Sequence, residues 1–164
     1  MLLEDSLRGV AVVKELVGPI VDVGSGGGVP GIPLAASLPE RDVTLLEANG
    51  RKCDFLRAWA PPNAYVVQGR AEEQETDAFG VAVAKALAPP HVAAEWCLPL
   101  VWPGGVVVLW VGPSADADRV ARVAARLAGE LIAGPEGFFV LQKLDSTPER
   151  FPRRAGVARK RPLG

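Results

Sequence analysis

Five glycines fall within the eight residues from Gly24 to Gly31, directly after the β-branched run Ile20-Val21-Asp22-Val23. Glycines there admit positive φ and let backbone N–H groups approach a ligand closely, as in loops that hold nucleosides and their phosphates after the first strand of an open sheet. A plain turn needs no such concentration, because each glycine adds unfolded-chain entropy that folding must overcome. Read as Gly26, Gly28 and Gly31, the loop also satisfies the dinucleotide spacing G-x-G-x-x-G, so the glycines alone leave a nicotinamide cofactor and another nucleoside ligand both open. Glu47 stands 23 positions after Gly24, at the end of the run beginning at Val43, where a carboxylate can accept hydrogen bonds from both hydroxyls of a ribose. Ala71-Glu72 follows the run Tyr65 to Val67, at the height of an adenine ring. Lys85 follows Val81 to Ala84, where substrate would meet cofactor.

Other reactive side chains are few. Cys53 and Cys97 fall in predicted helices away from strand ends, which gives neither an attacking thiol at the site nor enough ligands for a four-cysteine zinc site. His91 is the only histidine, starts a helix after Pro89-Pro90, and reads as structural. No catalytic side chain and no metal site is expected.

Positioning these residues requires strands that alternate with helices. Leu3, Leu7, Val10, Val13 and Val17 recur at helical spacing, and Gly18-Pro19 supplies the stop, predicting an opening helix. Strands are predicted at 20–23, 43–46, 65–67, 81–84, 106–111 and 138–141. Helices are predicted at about 31–38, after an Asn49 N-cap as far as Trp59, at about 90–98, and after Ser114. Pro103-Gly104-Gly105 reads as a turn before the fifth strand. Alternation of this kind makes the fold class α/β, a doubly wound, mostly parallel sheet covered on both faces, with ligands outside the carboxyl ends of its strands.

Composition sets the outer limits. At 164 residues, 49% hydrophobic and 23% charged, the chain is expected to form one globular domain. Met1 to Asp5 hold two acids and no base, so a secretory signal is not expected. The uncharged stretch 96–115 is broken by Pro99, Pro103, Gly104 and Gly105, so no membrane span is expected. Residues 150–164 carry six basic side chains and no acid, leaving twelve basic against nineteen acidic residues over 1–149, a balance of −7. The division expected is therefore a body, 1–147, and a basic C-terminal tail, 148–164. Such a tail either grips a polyanion at one place or is a solvated end.

Several of these segments together resemble the bacterial 16S ribosomal RNA guanine-N7 methyltransferases, the small-subunit rRNA methyltransferase G or glucose-inhibited division protein B family. The resemblance runs from about Leu2 to Leu163. It rests on Asp22 to Leu34 (DVGSGGGVPGIPL), Leu46 to Asn49 (LEAN) with Arg51-Lys52, Gly69 to Glu72 (GRAE), Ala84 to Ala86 (AKA) and the tail Arg150 to Leu163 (RFPRRAGVARKRPL). It implies the Rossmann-like fold of class I S-adenosylmethionine-dependent methyltransferases and S-adenosyl-L-methionine as cofactor. Gly24, Gly26 and Val29 would contact that cofactor from the loop, Glu47, Ala48 and Asn49 at the ribose, and Ala71 and Glu72 around the adenine. It implies a substrate side formed by Lys85, with Arg150, Arg153 and Arg154 of the tail on the RNA. The partner implied is 16S ribosomal RNA or the small ribosomal subunit, methylated at guanine 527 in the RNA's own numbering by a cytoplasmic monomer.

The sequence departs from that family in three places. Its start falls inside the family's first helix motif, so an N-terminal helical segment is expected to be missing. Lys85 replaces an arginine, keeping charge but losing the planar fork. Val111-Gly112 replaces a lysine-glycine, and the preceding Trp110 is open to two readings, a base-stacking ring or core packing. Guanine N7 has a lone pair and no proton, so direct in-line transfer needs no general base, and Lys85-Ala-Leu-Ala-Pro-Pro lacks the Asn-Pro-Pro-Tyr pattern used on exocyclic amines. The competing classes are an NAD-dependent oxidoreductase, allowed by the glycine spacing, and a truncated, nonenzymatic RNA-binding relative.

Overall fold

A computed structural model describes residues 2–164. Seven strands form one sheet: β1 Ile20–Val23, β2 Val43–Glu47, β3 Ala64–Gln68, β4 Phe79–Ala84, β5 Val101–Trp110, β6 Gly129–Ile132 and β7 Phe138–Lys143. Their spatial order is β3-β2-β1-β4-β5-β7-β6. The first five are parallel, and β7 runs antiparallel to both β5 and β6. Helices α1 Leu2–Val13, α2 Gly31–Ser37, α3 Gly50–Trp59, α4 Pro90–Cys97, α5 Ala117–Arg126 and α6 Val157–Lys160 complete the layers. The α/β class follows from sequence alternation, and the reversal of strand order between β1 and β4 opens a crevice over their carboxyl ends.

Two cores cover the two faces. On one, Val21, Val23, Leu46, Ala82, Val107 and Leu141 meet the buried residues of α4 and α5. On the other, Ile20, Val43, Leu45, Val81 and Val83 meet Val13 of α1, Leu34 and Ala35 of α2 and Leu56 of α3. Among the described residues no helix is long and apolar enough to cross a membrane. The β3–β4 link holds only a single 3-10 turn, Ala71–Glu73, which leaves Tyr65 of the edge strand half exposed.

Local chemistry explains most element ends. The Asn49 side chain accepts from Arg51 and Lys52 N–H at 3.0 and 3.1 Å and so caps α3, while Asp116 accepts from Arg119 N–H at 3.0 Å and caps α5. Cys53 and Cys97 are both buried thiols on α3 and α4, pushed above the usual thiol range by burial.

The structure departs from the sequence reading in several places. The opening helix does not run to the Gly18-Pro19 stop: it ends at Val13, Ser6, Gly9 and Val13 turn inward, and Leu7 and Val17 are exposed, the side chain of Leu3 lying outside the described residues. Trp110 explains that inward face, because a Cβ on Gly9 would lie 2.1 Å from its ring, so only a glycine lets the helix approach. Pro103-Gly104-Gly105 lies within β5, where Phe79 pairs with Val101 but Val81 pairs with Val106, an irregularity and not a turn between elements. Strand β6 has no counterpart in the sequence reading. Of the two readings of the C-terminal segment, the solvated end does not hold, since Phe151, Ala158 and Leu163 are buried in the core of the α4 face.

Candidate functional site

The chain after β1 turns sharply. Gly24 and Ser25 N–H groups donate to Leu46 O at 2.8 and 3.0 Å, and Gly24, Gly26 and Gly28 all take positive φ. A side chain at Gly24 would be strained by its φ of +71° and would meet Leu87. Gly31 has the other role of a glycine: its N–H donates to Asp22 Oδ2 at 3.0 Å, and an added Cβ would lie 2.3 Å from Leu45.

Glu47 joins this loop to β2. Its Oε1 accepts from Gly26 N–H at 2.9 Å and its Oε2 from Asn49 N–H at 2.8 Å, and the side chain is buried. Each oxygen retains a lone pair for a further donor. Beside it opens a cleft of about 380 Å³, within the range of small-ligand sites. Of the residues expected on sequence grounds, Gly24, Gly26, Val29, Glu47, Ala48, Ala71, Glu72 and Lys85 line it. Asn49 does not: its side chain is spent on the α3 cap.

Lys85 lines one side of the cleft. Its Nζ is buried, makes no hydrogen bond among the described residues, and lies 3.6 Å from Asp5 Oδ2. Glu72 Oε2 accepts from Gly156 N–H at 2.8 Å, tying the C-terminal segment to the cleft. Arg150, Arg153 and Arg154 lie off the cleft lining. The Arg153 guanidinium forms two hydrogen bonds with Glu95, one of them 2.6 Å, so its charge is already matched within the fold, and Arg150 sits over the Phe151 ring. Trp110 packs edge-on against Phe138 at 5.1 Å and donates its indole N–H to Asp5 O at 3.1 Å, which settles its two readings in favour of packing. Several lining residues were missed, among them the cations Lys52, Arg70 and Arg159 and the ring of Trp96. Arg70 stood inside the quoted Gly69–Glu72 motif and Arg159 inside the basic tail, but nothing local in sequence brings residue 159 beside residue 70.

Asp22, beneath the loop, is fully buried with Oδ1 unpartnered among the described residues. Burial raises its carboxyl to about 7, outweighing the Gly31 hydrogen bond that favours the charged form. The folded chain therefore holds a proton between about pH 4 and pH 7 that the unfolded chain has released, and stability falls as pH rises through that window. Asp22→Asn removes the titration. Its stability relative to the unsubstituted chain is expected to improve between about pH 5 and pH 8, by a few kcal/mol in order of magnitude. Urea unfolding at both pH values checks this, and parallel profiles for the two proteins would refute it.

Strand order, with a single reversed strand beside β5, is that of the class I S-adenosylmethionine-dependent methyltransferases. M. jannaschii TYW2, solved in complex with AdoMet, superposes with a TM-score of 0.66 at 16% identity, over 85% of this chain and 72% of that one. Within that class the match narrows: residues 1–128 fit the family model described as rRNA small subunit methyltransferase G, and the chain belongs to that family. A relative named ribosomal RNA small subunit methyltransferase G from Rubrobacter xylanophilus is 38% identical over 89% of this chain, and one from Synechococcus elongatus is 35% identical over 98%. The chain spans 65% of the first relative's length and 76% of the second's.

Proposed function

We propose that this chain transfers a methyl group from S-adenosyl-L-methionine to N7 of guanine 527 in 16S ribosomal RNA, acting as a cytoplasmic monomer. The residues present fit the cofactor. Bare loop amides, a buried carboxylate with spare lone pairs and the apolar walls of Leu46, Ala71 and Leu87 suit an adenosine, and the Lys85 ammonium, paired with Asp5 but making no hydrogen bond among the described residues, can donate to an acceptor. Gly24, Gly26, Val29, Glu47 and Ala48 would hold its sugar and chain, with Ala71 and Glu72 near the base. When bound, S-adenosylmethionine supplies an electrophilic methyl group on a sulfonium.

One observation carries the choice of reaction. Both carboxylates lining the cleft already have structural partners, Glu47 in the N–H groups of Gly26 and Asn49 and Glu72 in that of Gly156, so each is committed to holding backbone in place. A nucleophile that loses no proton on attack fits such a site, and N7 is that nucleophile. The chain's residues then act by positioning: Glu47 fixes the loop, Lys85 holds a donor at the substrate side, and the cleft limits approach to one line. Asp5, 3.6 Å from Lys85, balances that cation while no substrate is present.

Labelled S-adenosylmethionine supplied with small ribosomal subunits that lack the modification, or with the naked RNA, is expected to yield N7-methylguanine by nucleoside mass spectrometry. Incorporation at an exocyclic amine, or none on either substrate, would overturn the proposal.

A further inference from the structure

A second cavity of about 600 Å³ adjoins the first, lined by Arg70, Trp96, Ala155, Gly156, Arg159 and Lys160. Arg70, Trp96 and Arg159 are common to both. The lining holds three cations and no acid. Among the described residues none of the three lies within ion-pair distance of a carboxylate, whereas Lys85, Lys143 and Arg153 each do. The rest of the chain is acidic on balance, −7 over residues 1–149, so a group of unpaired cations stands against the overall charge.

This wall is rigid. Phe151, Ala158 and Leu163 anchor the segment in the core, Gly156 N–H is held by Glu72, and the Arg153 guanidinium binds Glu95 and, at 2.9 Å, Arg161 O. Arg159 rests over the Trp96 ring, its guanidinium carbon 5.4 Å from the ring centre, so a long side chain that would otherwise sample many rotamers is held before any ligand arrives. The Trp96 ring below is buried, with an indole N–H unpartnered among the described residues.

We infer that this groove binds the sugar-phosphate backbone of single-stranded RNA beside the cofactor cleft, with Arg70, Arg159 and Lys160 as the phosphate-binding side chains. The buried pairing of Arg153 makes it the clamp that presents them. The choice of RNA as the polyanion rests on the function proposed above; the groove and its charge do not.

The test is binding of a fluorescently labelled, short single-stranded RNA, followed by anisotropy across a salt series. In the triple variant Arg70→Gln, Arg159→Gln, Lys160→Gln, three phosphate contacts at about 0.7 each are expected to vanish, making the log-log salt slope shallower by about 2 and lowering affinity at low salt at least about tenfold. KM for small ribosomal subunits should rise by more than kcat falls. Unfolding midpoints report whether the variant is folded, and Arg159→Lys, which keeps the charge, should recover most of the slope. Arg122→Gln with Arg126→Gln, exposed on α5 away from both cavities, removes charge elsewhere and should leave the slope as it was. The inference fails if the triple variant binds RNA as the unsubstituted chain does, or if the α5 variant loses as much. It also fails if calorimetry shows the triple variant losing S-adenosylmethionine and not RNA. Absence of methyl transfer by the unsubstituted chain would sink the proposed function while leaving the RNA-binding comparison intact.

Discussion

Asp77→Ala is expected to lower the free energy of unfolding by about 3 to 5 kcal/mol, the usual cost of removing one partner from a buried ion pair. Lys143 is fully enclosed, and its ammonium donates to Asp77 Oδ1 at 3.0 Å, Thr147 Oγ1 at 2.8 Å, Leu98 O at 2.8 Å and Val101 O at 3.0 Å. Burial pulls the Lys143 ammonium below its ordinary value. It works against Asp77 too, yet hydrogen bonds from Lys143 and Thr147 bring that carboxyl below the usual range. Without Asp77 the enclosed cation keeps only neutral acceptors. Asp77 also has φ of 53°, a region asparagine tolerates better than alanine, so Asp77→Asn should cost clearly less. Lys143 sits at the amino end of β5, opposite the cleft, so cofactor affinity of the folded Asp77→Ala chain should be unchanged. Urea titration with a normal m-value, paired with calorimetric cofactor binding, checks both halves; a loss below about 1 kcal/mol would show that the pair contributes little.

Glu47→Ala is expected to weaken S-adenosylmethionine binding at least about 100-fold, close to 3 kcal/mol, from the loss of hydrogen bonds to a charged group worth about 1.5 to 3 kcal/mol each. The carboxylate does two things at once. It holds the amides of Gly26 and Asn49, and so the path of the loop and the start of α3, and it keeps lone pairs available to a sugar diol. Glu47→Gln retains one acceptor oxygen but turns an amide N–H toward one of those donors, so it should recover only part of the affinity. Calorimetric affinity equal to that of the unsubstituted chain would remove Glu47 from the site.

Much of this arrangement is written locally. The Ile20 to Val23 run, the glycines after it and the cap at Asn49 specify strand, loop and helix start from neighbours a few residues apart, and all form where the sequence places them. What escapes is set by partners far along the chain. Strand β6, with sequence GELI, has too little alternation to declare itself and exists because β7 offers an antiparallel edge. The inward face of α1 is chosen by Trp110, about a hundred residues later, and the fate of the Arg153 charge by Glu95, 58 residues earlier. The basic character of residues 150–164 was visible; the apolar anchors that fasten them were three scattered side chains among cations. The Arg70 and Arg159 pairing in one groove belongs to the same class of information, since only the folded β3–β4 link and the docked C-terminal segment bring them together.

Cys53 and Cys97 lie on α3 and α4, which cover opposite faces of the sheet, and both sulfurs are sealed from solvent. An alkylating reagent therefore reaches either sulfur only when its own layer detaches, and peptide mapping of the two adducts over time gives a separate clock for each side of the molecule. Run with and without cofactor, the two clocks would reveal which layer the ligand clamps.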